Sequence, residues 1–301
     1  MNSISVDDLL LTIYVLVDDW HQAHAIEIRK GQPGKRPELS DNEVMTLMLA
    51  MDYIPFPSEP QFVAYLRANH VAMFPDLVDQ SQFNRRARAV APLLEQFRQA
   101  WLIRLGITLA YEGLLDTKPI PVIGYRRSKQ GSDFLGSAAY GYCASKKMHY
   151  FGYKLVTIST LGGIPLIYDL VPANTEERQA AETLLDQLSG YHLFAYKGFL
   201  GQAWQTDIQR LTGNRIWTPK RKNQTAQQSQ AFERWLNGLR LRIEGLFNEI
   251  QNVGKNVEHL LAKTVRGLCA RIAAKMTSHL LKYVLRCHFG IDVLSFSQID
   301  A

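Results

Sequence analysis

The sequence predicts an α/β protein: a mixed β-sheet with helices on its faces, preceded by an all-helical region. Three observations carry that reading. Over residues 1–106, apolar residues recur at helical spacing between capping signals. Near residue 107 the pattern turns extended, with three β-type runs in succession and then strands alternating with helices. After residue 223, two long apolar stripes at helical spacing follow.

Taken in order, Ser5 with Asp8 caps a first helix expected to run to about Glu27. Ser40-Asp41-Asn42-Glu43 is a capping box for a helix over Val44–Met51. Pro55 and Pro57 stop it, Ser58-Glu59-Pro60-Gln61 opens the next, and a longer helix runs from Ser81 to Gly106. Leu109–Leu115 is extended and leads into Asp116, expected at the strand's end. A Gly-rich, basic stretch follows from Gly124 to Lys147, with no element assigned to it. Tyr150–Thr160 and Ile164–Pro172 form a hairpin around Leu161-Gly162-Gly163, because glycine adopts positive φ at no steric cost. Then come a helix over Glu176–Leu188, a strand over His192–Tyr196, a helix near Gln202–Leu211 and a strand over Arg215–Pro219. In the first terminal helix Phe232, Leu236, Leu239, Ile243, Phe247 and Ile250 form the stripe. The second helix is expected to begin at Val257 and carry its stripe to Val284. These elements divide the chain into a helical region 1–106, an α/β core 107–290 and a tail 291–301.

With 301 residues, 47% of them apolar, the chain can bury a sizeable core. Lys and Arg exceed Asp and Glu by 34 to 28, and the surplus is uneven. Residues 1–110 carry net −3 and residues 111–301 net +9, so the larger part suits a polyanionic partner. Three scattered cysteines exclude a disulfide framework and a structural zinc site. The longest early apolar run, Leu9–Val17, is too short to span a bilayer, and the start does not read as a signal peptide. The expectation is a cytoplasmic protein with no membrane partner.

Three sites on that skeleton matter chemically. Asp116 closes the first strand, position 196 the fourth, and Glu244 lies on the long helix, about a quarter-turn from its apolar stripe and beside Arg240. Elements so arranged bring residues distant in sequence to one point. Carboxylates there would hold the two divalent cations that accelerate phosphodiester chemistry, since Mg²⁺ prefers hard anionic oxygen.

The words around those positions form an ordered series. It runs Asp116 with Pro119-Ile120-Pro121-Val122, Gly141-Tyr142-Cys143-Ala144-Ser145-Lys146-Lys147, Tyr150-Phe151-Gly152-Tyr153-Lys154, Gly163-Ile164-Pro165, Lys197-Gly198-Phe199, Thr218-Pro219-Lys220-Arg221-Lys222-Asn223 and Arg242-Ile243-Glu244. Together with Val17-Asp18-Asp19-Trp20 near the start, this series resembles bacterial insertion-sequence transposases of the DDE type, over nearly the whole chain. The resemblance implies a ribonuclease H-like core after a helical DNA-binding region. It implies cutting at terminal inverted repeats and joining of the ends to target DNA, with Mg²⁺ or Mn²⁺ as cofactor. Its partners would be double-stranded DNA (element ends and target) and further copies of the chain on that DNA, in the nucleoid. Asp116 matches the first acid and Glu244 the third. The second belongs in an Asp-Lys-Gly-Tyr context that here reads Tyr196-Lys197-Gly198-Phe199. A further signature is half met, by Asn237, Arg240, Glu244 and Gln251.

Tyr196 is not a conservative replacement. A phenol is neutral at neutral pH and cannot bridge two cations as a carboxylate does. Metal binding is therefore expected to be weakened and catalysis impaired. Asp169 and Glu182 are the nearest substitute acids in sequence. The alternative is a non-catalytic, transposase-derived DNA-binding protein that occupies element ends or inhibits intact copies. Lys146, Lys147, Lys197, Lys220, Arg221, Lys222 and Arg240 are the expected DNA contacts, beside a candidate recognition helix opening at Ser81. Trp217 and Trp235 are candidates for base stacking or for core; His149 and His192 read as structural.

Overall fold

The computed structural model describes residues 4–24, 37–54, 56–144, 146–219, 229–252, 256–291, 293 and 299–300. Two compact units emerge, Met1–Trp101 with Ile250–Ala301, and Leu102–Glu249.

In the first unit, α1 (Val6–Ala23) is capped by the Ser5 hydroxyl, which accepts from the Asp8 amide at 3.0 Å. The expected capping box opens α2 (Asp41–Ala50): the Ser40 amide donates to the Glu43 carboxylate at 2.7 Å, and Ser40 accepts in return. Ser58 caps α3 (Glu59–Asn69), with Pro60 in its first turn, and α4 (Gln80–Arg104) follows. The last long helix, α8 (Val265–Phe289), packs in this unit as well. Its Lys275 pairs with Asp52 at 2.7 Å, both buried, and the Tyr53 hydroxyl donates to the Ser278 carbonyl at 2.5 Å. The linear division expected from the sequence differs here, because residues between Ile250 and 290 pack with the N-terminal helices. The second stripe is also not one helix. Val257–His259 forms a 3-10 turn and Leu261 takes φ 55°, so the α-helix starts only where Thr264 caps it.

The second unit is a six-stranded mixed sheet with helices on both faces. Its strands are β1 (Glu112–Ile123), β2 (Ala139–Cys143), β3 (Met148–Ser159), β4 (Pro165–Pro172), β5 (His192–Ala195) and β6 (Arg215–Trp217). Strands run in the order β2-β3-β1-β5-β6. β2 and β4 share the outer edge of β3: β2 pairs with Met148–Gly152 and β4 with Tyr153–Ser159. Antiparallel pairs join β1, β2, β3 and β4, whereas β5 and β6 run parallel to β1. α5 (Glu177–Leu185) lies between β4 and β5, α6 (Gln202–Thr212) lies between β5 and β6, and α7 (Gln230–Asn252) follows β6.

Two elements depart from the sequence reading. Asp116 stands in the middle of β1, not at its end, because the strand continues through Pro119 and Pro121 to Ile123. Prolines are tolerated there since β5 ends opposite Leu115 and leaves that edge of β1 unpaired. The second is β2, which lies inside the stretch read as Gly-rich and basic.

Successive residues of a strand face opposite sides, so the sheet has two distinct faces. Leu115, Val156, Ile158, Leu193 and Ala195 pack against Ala181, Leu184 and Leu185 of α5 in one dry cluster. On the other face, Phe194 meets Trp235 of α7 edge-on at 4.8 Å and the Lys118 ammonium lies 5.6 Å from the Phe247 ring centre. Gly152 is obligatory at the bulge where β3 passes β1: a β-carbon there would lie 2.1 Å from the Ile120 carbonyl oxygen.

Candidate functional site

Strand register builds the site. β1 and β5 are parallel, with Leu114 beside Phe194 and Leu115 beside Ala195, where their pairing ends, one residue before Asp116 and Tyr196. Asp116 lies on the α7 face, because it alternates with Leu115 of the dry cluster, and Tyr196 directly follows Ala195 of the same cluster. Directly across the antiparallel pair, Thr157 of β3 faces Asp116, and Ser159 faces Leu114. Asp116 is half-buried, and its Oδ1 accepts from the Thr117 amide at 2.8 Å. Tyr196 is 41% exposed and its carbonyl accepts from the Phe199 amide at 3.1 Å, turning the chain away from the strand.

Glu244 comes from α7. That helix is seated by Leu236, Leu239, Leu246, Phe247 and Ile250, all buried, and the Arg242 guanidinium donates to the Leu161 carbonyl at 3.4 Å. Half-buried Glu244 lies one turn before Phe247, the residue whose ring meets Lys118. The fold therefore carries Asp116 within β1, Tyr196 directly after β5 and Glu244 on α7, all in one unit.

The other expected contacts divide. Lys146 and Lys147 are exposed at the β2–β3 turn, where Lys147 takes φ 49°. Lys220, Arg221 and Lys222 lie outside the described residues, as do the side chains of Lys197 and Arg240. Neither substitute acid joins the site. Asp169 is exposed on β4, opposite Val156 and on its face, and its carboxylate accepts from the Leu170 amide. Glu182 accepts from the Trp204 indole at 2.9 Å on α5.

Sequence reasoning missed Lys118, Thr157, Ser159 and Glu177. Lys118 is only 7% exposed and shares Asp116's face two residues further along β1. Buried lysine is rare, and this burial appears only in the structure. Thr157 and Ser159 are fully buried, and their hydroxyls find no hydrogen-bond partner. With the Trp217 indole, they are the buried polar atoms of this unit without a partner among the described residues, and all three lie on the α7 face. Such orphans are uncommon and collect where a structure serves a ligand. Glu177 approaches the same strand ends from the opposite face. Its carboxylate lies 3.4 Å from the Thr117 hydroxyl and abuts Gly198, where a β-carbon would fall 1.3 Å from Oε2. That contact gives the glycine of Lys197-Gly198-Phe199 a physical reason.

Transposase DDE domains work with divalent metal ions. The orphan Thr157 hydroxyl beside Asp116 suits an ion's polar surroundings. The charges do not suit two ions. Two carboxylates stand with a neutral phenol and a buried ammonium, and among the described residues no three His, Cys, Asp or Glu side chains group to hold a metal. The donor set thus falls short of a two-cation site.

Among the described residues, no helix is long and apolar enough to cross a membrane. Comparison with curated proteins and with solved structures finds no match. The family model for the transposase DDE domain matches residues 110–264, more than half of the chain and the span that holds Asp116, Tyr196 and Glu244. The mixed sheet flanked by helices is the ribonuclease H-like fold expected of such domains, and this chain belongs to the transposase DDE domain family.

Proposed function

We propose that the chain is an insertion-sequence transposase that engages double-stranded DNA at the element's terminal inverted repeats and at the target, with its cutting and joining steps impaired by Tyr196. One observation carries this: the parallel pairing of β1 with β5, which ends one residue before Asp116 and position 196, in the unit whose helix α7 bears Glu244. A carboxylate there would complete three acids on adjoining elements. A phenol leaves two acids, and Lys118, buried on Asp116's strand face, adds a positive charge there. Mg²⁺ or Mn²⁺ would be held by Asp116 and Glu244 alone, with reduced affinity. The net positive charge after residue 110 and the exposed Lys146 and Lys147 supply contacts to DNA phosphates, which need no metal. Copies of the chain are expected to assemble on the paired ends.

The test compares this chain with Tyr196→Asp on a labelled duplex carrying the element's ends, in Mg²⁺ or Mn²⁺. The revertant should cut at least about a hundred-fold faster, since weaker losses around metal sites already cost that much. Equal cutting by both would show that another group supplies the second ligand and would overturn the reading.

A further inference from the structure

The β2 end of the sheet carries a feature that neither the family nor the acids explain. β2 is an edge strand, and Tyr140 and Tyr142 point from it to solvent, 55% and 53% exposed. Their cross-strand partners are Phe151 and His149, so these side chains stand on the face that also bears Asp116 and Thr157. Tyr142 and His149 lie 4.8 Å apart, Tyr140 and Phe151 5.0 Å. Tyr125, half-exposed in the turn after β1, closes the group at 5.5 Å from Tyr140 and 5.9 Å from His149.

Lys129 holds this arrangement from beneath. It is buried, with its ammonium 5.4 Å from the Tyr140 ring centre and 5.3 Å from that of Phe151. The same ammonium donates to the carbonyls of Gly124 at 3.0 Å, Tyr125 at 2.6 Å and Arg127. One cation thus fastens the 124–127 turn to the rings of two strands. The rings are built into position rather than left as scattered surface aromatics.

The surroundings are cationic. Between residues 122 and 150 the chain has five Lys and Arg and a single acid, Asp133. Arg126, Arg127, Lys146 and Lys147 are exposed in the two turns that flank the rings. Aromatic faces bordered by exposed cations fit an unpaired nucleic-acid strand: rings stack on bases and cations meet phosphates. A protein partner with an apolar patch would offer no counter-charge to exposed Arg126, Arg127 and Lys147.

We infer that Tyr125, Tyr140, Tyr142 and His149 form a stacking platform for unpaired DNA bases, on the same sheet face as Asp116. It receives a strand that has left the duplex, the condition of an element end once opened. The inference rests on the proposed DNA engagement and adds a preference to it: the chain favours DNA with an unpaired tail over fully paired DNA.

Fluorescence anisotropy tests this with a blunt duplex and the same duplex bearing a short single-stranded 3′ tail that contains 2-aminopurine. The intact chain should bind the tailed duplex about ten-fold more tightly, the worth of roughly one stacked base, and the tail's fluorescence should be quenched. Tyr140→Ala with Tyr142→Ala should abolish preference and quenching while leaving blunt-duplex binding intact; Tyr140→Phe with Tyr142→Phe should keep both. An unchanged preference in the double alanine variant would overturn the platform. Equal binding of both DNAs by the intact chain would do the same and leave DNA engagement standing. Binding of neither DNA would overturn the proposed function itself. The altered rings are exposed, so circular dichroism of each variant should match the intact chain.

Discussion

The two faces of the sheet are built from the same strands and follow different rules. Under α5, Leu115, Val156, Ile158 and Leu193 interlock with Ala181, Leu184 and Leu185, and no side chain in that cluster carries a polar atom to satisfy apart from the Tyr191 hydroxyl, which donates to the Thr108 carbonyl. Under α7, Asp116, Lys118, Thr157 and Ser159 alternate with those residues along β1 and β3, and two hydroxyls have no partner among the described residues. Burying polar groups costs stability unless they are paired. The α7 face accepts that cost and the α5 face does not, which marks the first as the working side and the second as the support.

The largest effect should come from emptying the support. Leu193→Ala removes a fully buried side chain at the centre of the α5 cluster and should cost about 2–5 kcal/mol in chemical denaturation. A loss under 1 kcal/mol would mean that the two faces do not divide their roles in this way. On the α7 face, Lys118→Met should also destabilise, by about 1–3 kcal/mol in metal-free buffer, because Asp116, two residues away on the same strand face, loses a buried cation. Divalent ions should then restore part of the loss, raising the variant's melting temperature more than that of the intact chain. A variant indifferent to Mg²⁺ and Mn²⁺ would show that Lys118 does not stand in for a cation.

The contrast between the faces explains what the sequence could and could not say. Local signals were legible: the Ser40 capping box, the Gly163 turn and the α7 stripe depend on neighbours within a few residues. Asp116 and Glu244 were singled out by the words around them. The position of Asp116 within β1 was not, because a strand's length is set by its partner, and β3 carries β1 past two prolines. β2 was missed because an edge strand with tyrosines turned outward and small residues between them lacks the usual alternation. Lys118, Thr157 and Ser159 became visible only once register showed which of them share Asp116's face. The break at Leu261 has no such signal, since its left-handed φ falls on a residue that seldom adopts one.

A smaller effect, opposite in sign, should follow from Thr157→Val. The valine keeps the shape and removes a buried hydroxyl without a partner, so the protein should gain about 0.5–1 kcal/mol. If the hydroxyl helps orient Asp116, the Tyr196→Asp revertant should lose cutting when Thr157→Val is added. Lower stability in Thr157→Val would show that the hydroxyl is partnered in solution and that the working face is less exposed to this cost than the structure indicates.

The smallest and most local test concerns the edge of the supporting face. Tyr150 of β3 shares the parity of Val156 and Ile158, and its phenol is pushed up to about 12 by burial, then by Cys143 and by Glu177. An unfolded tyrosine titrates near pH 10. Between about pH 10 and 12 the unfolded chain has released this proton while the folded chain keeps it. Stability from this group is therefore complete below about pH 10 and falls as pH rises through about 12. Tyr150→Phe removes the titration, so its alkaline decline should be shallower, although buried Tyr53, raised for the same reason, keeps declining in both proteins. Denaturant midpoints of the two proteins, compared across that window, isolate Tyr150: their difference should grow as pH rises. A constant difference would mean that water reaches the Tyr150 phenol and that the dry region ends at the α5 cluster, short of β3's first residues.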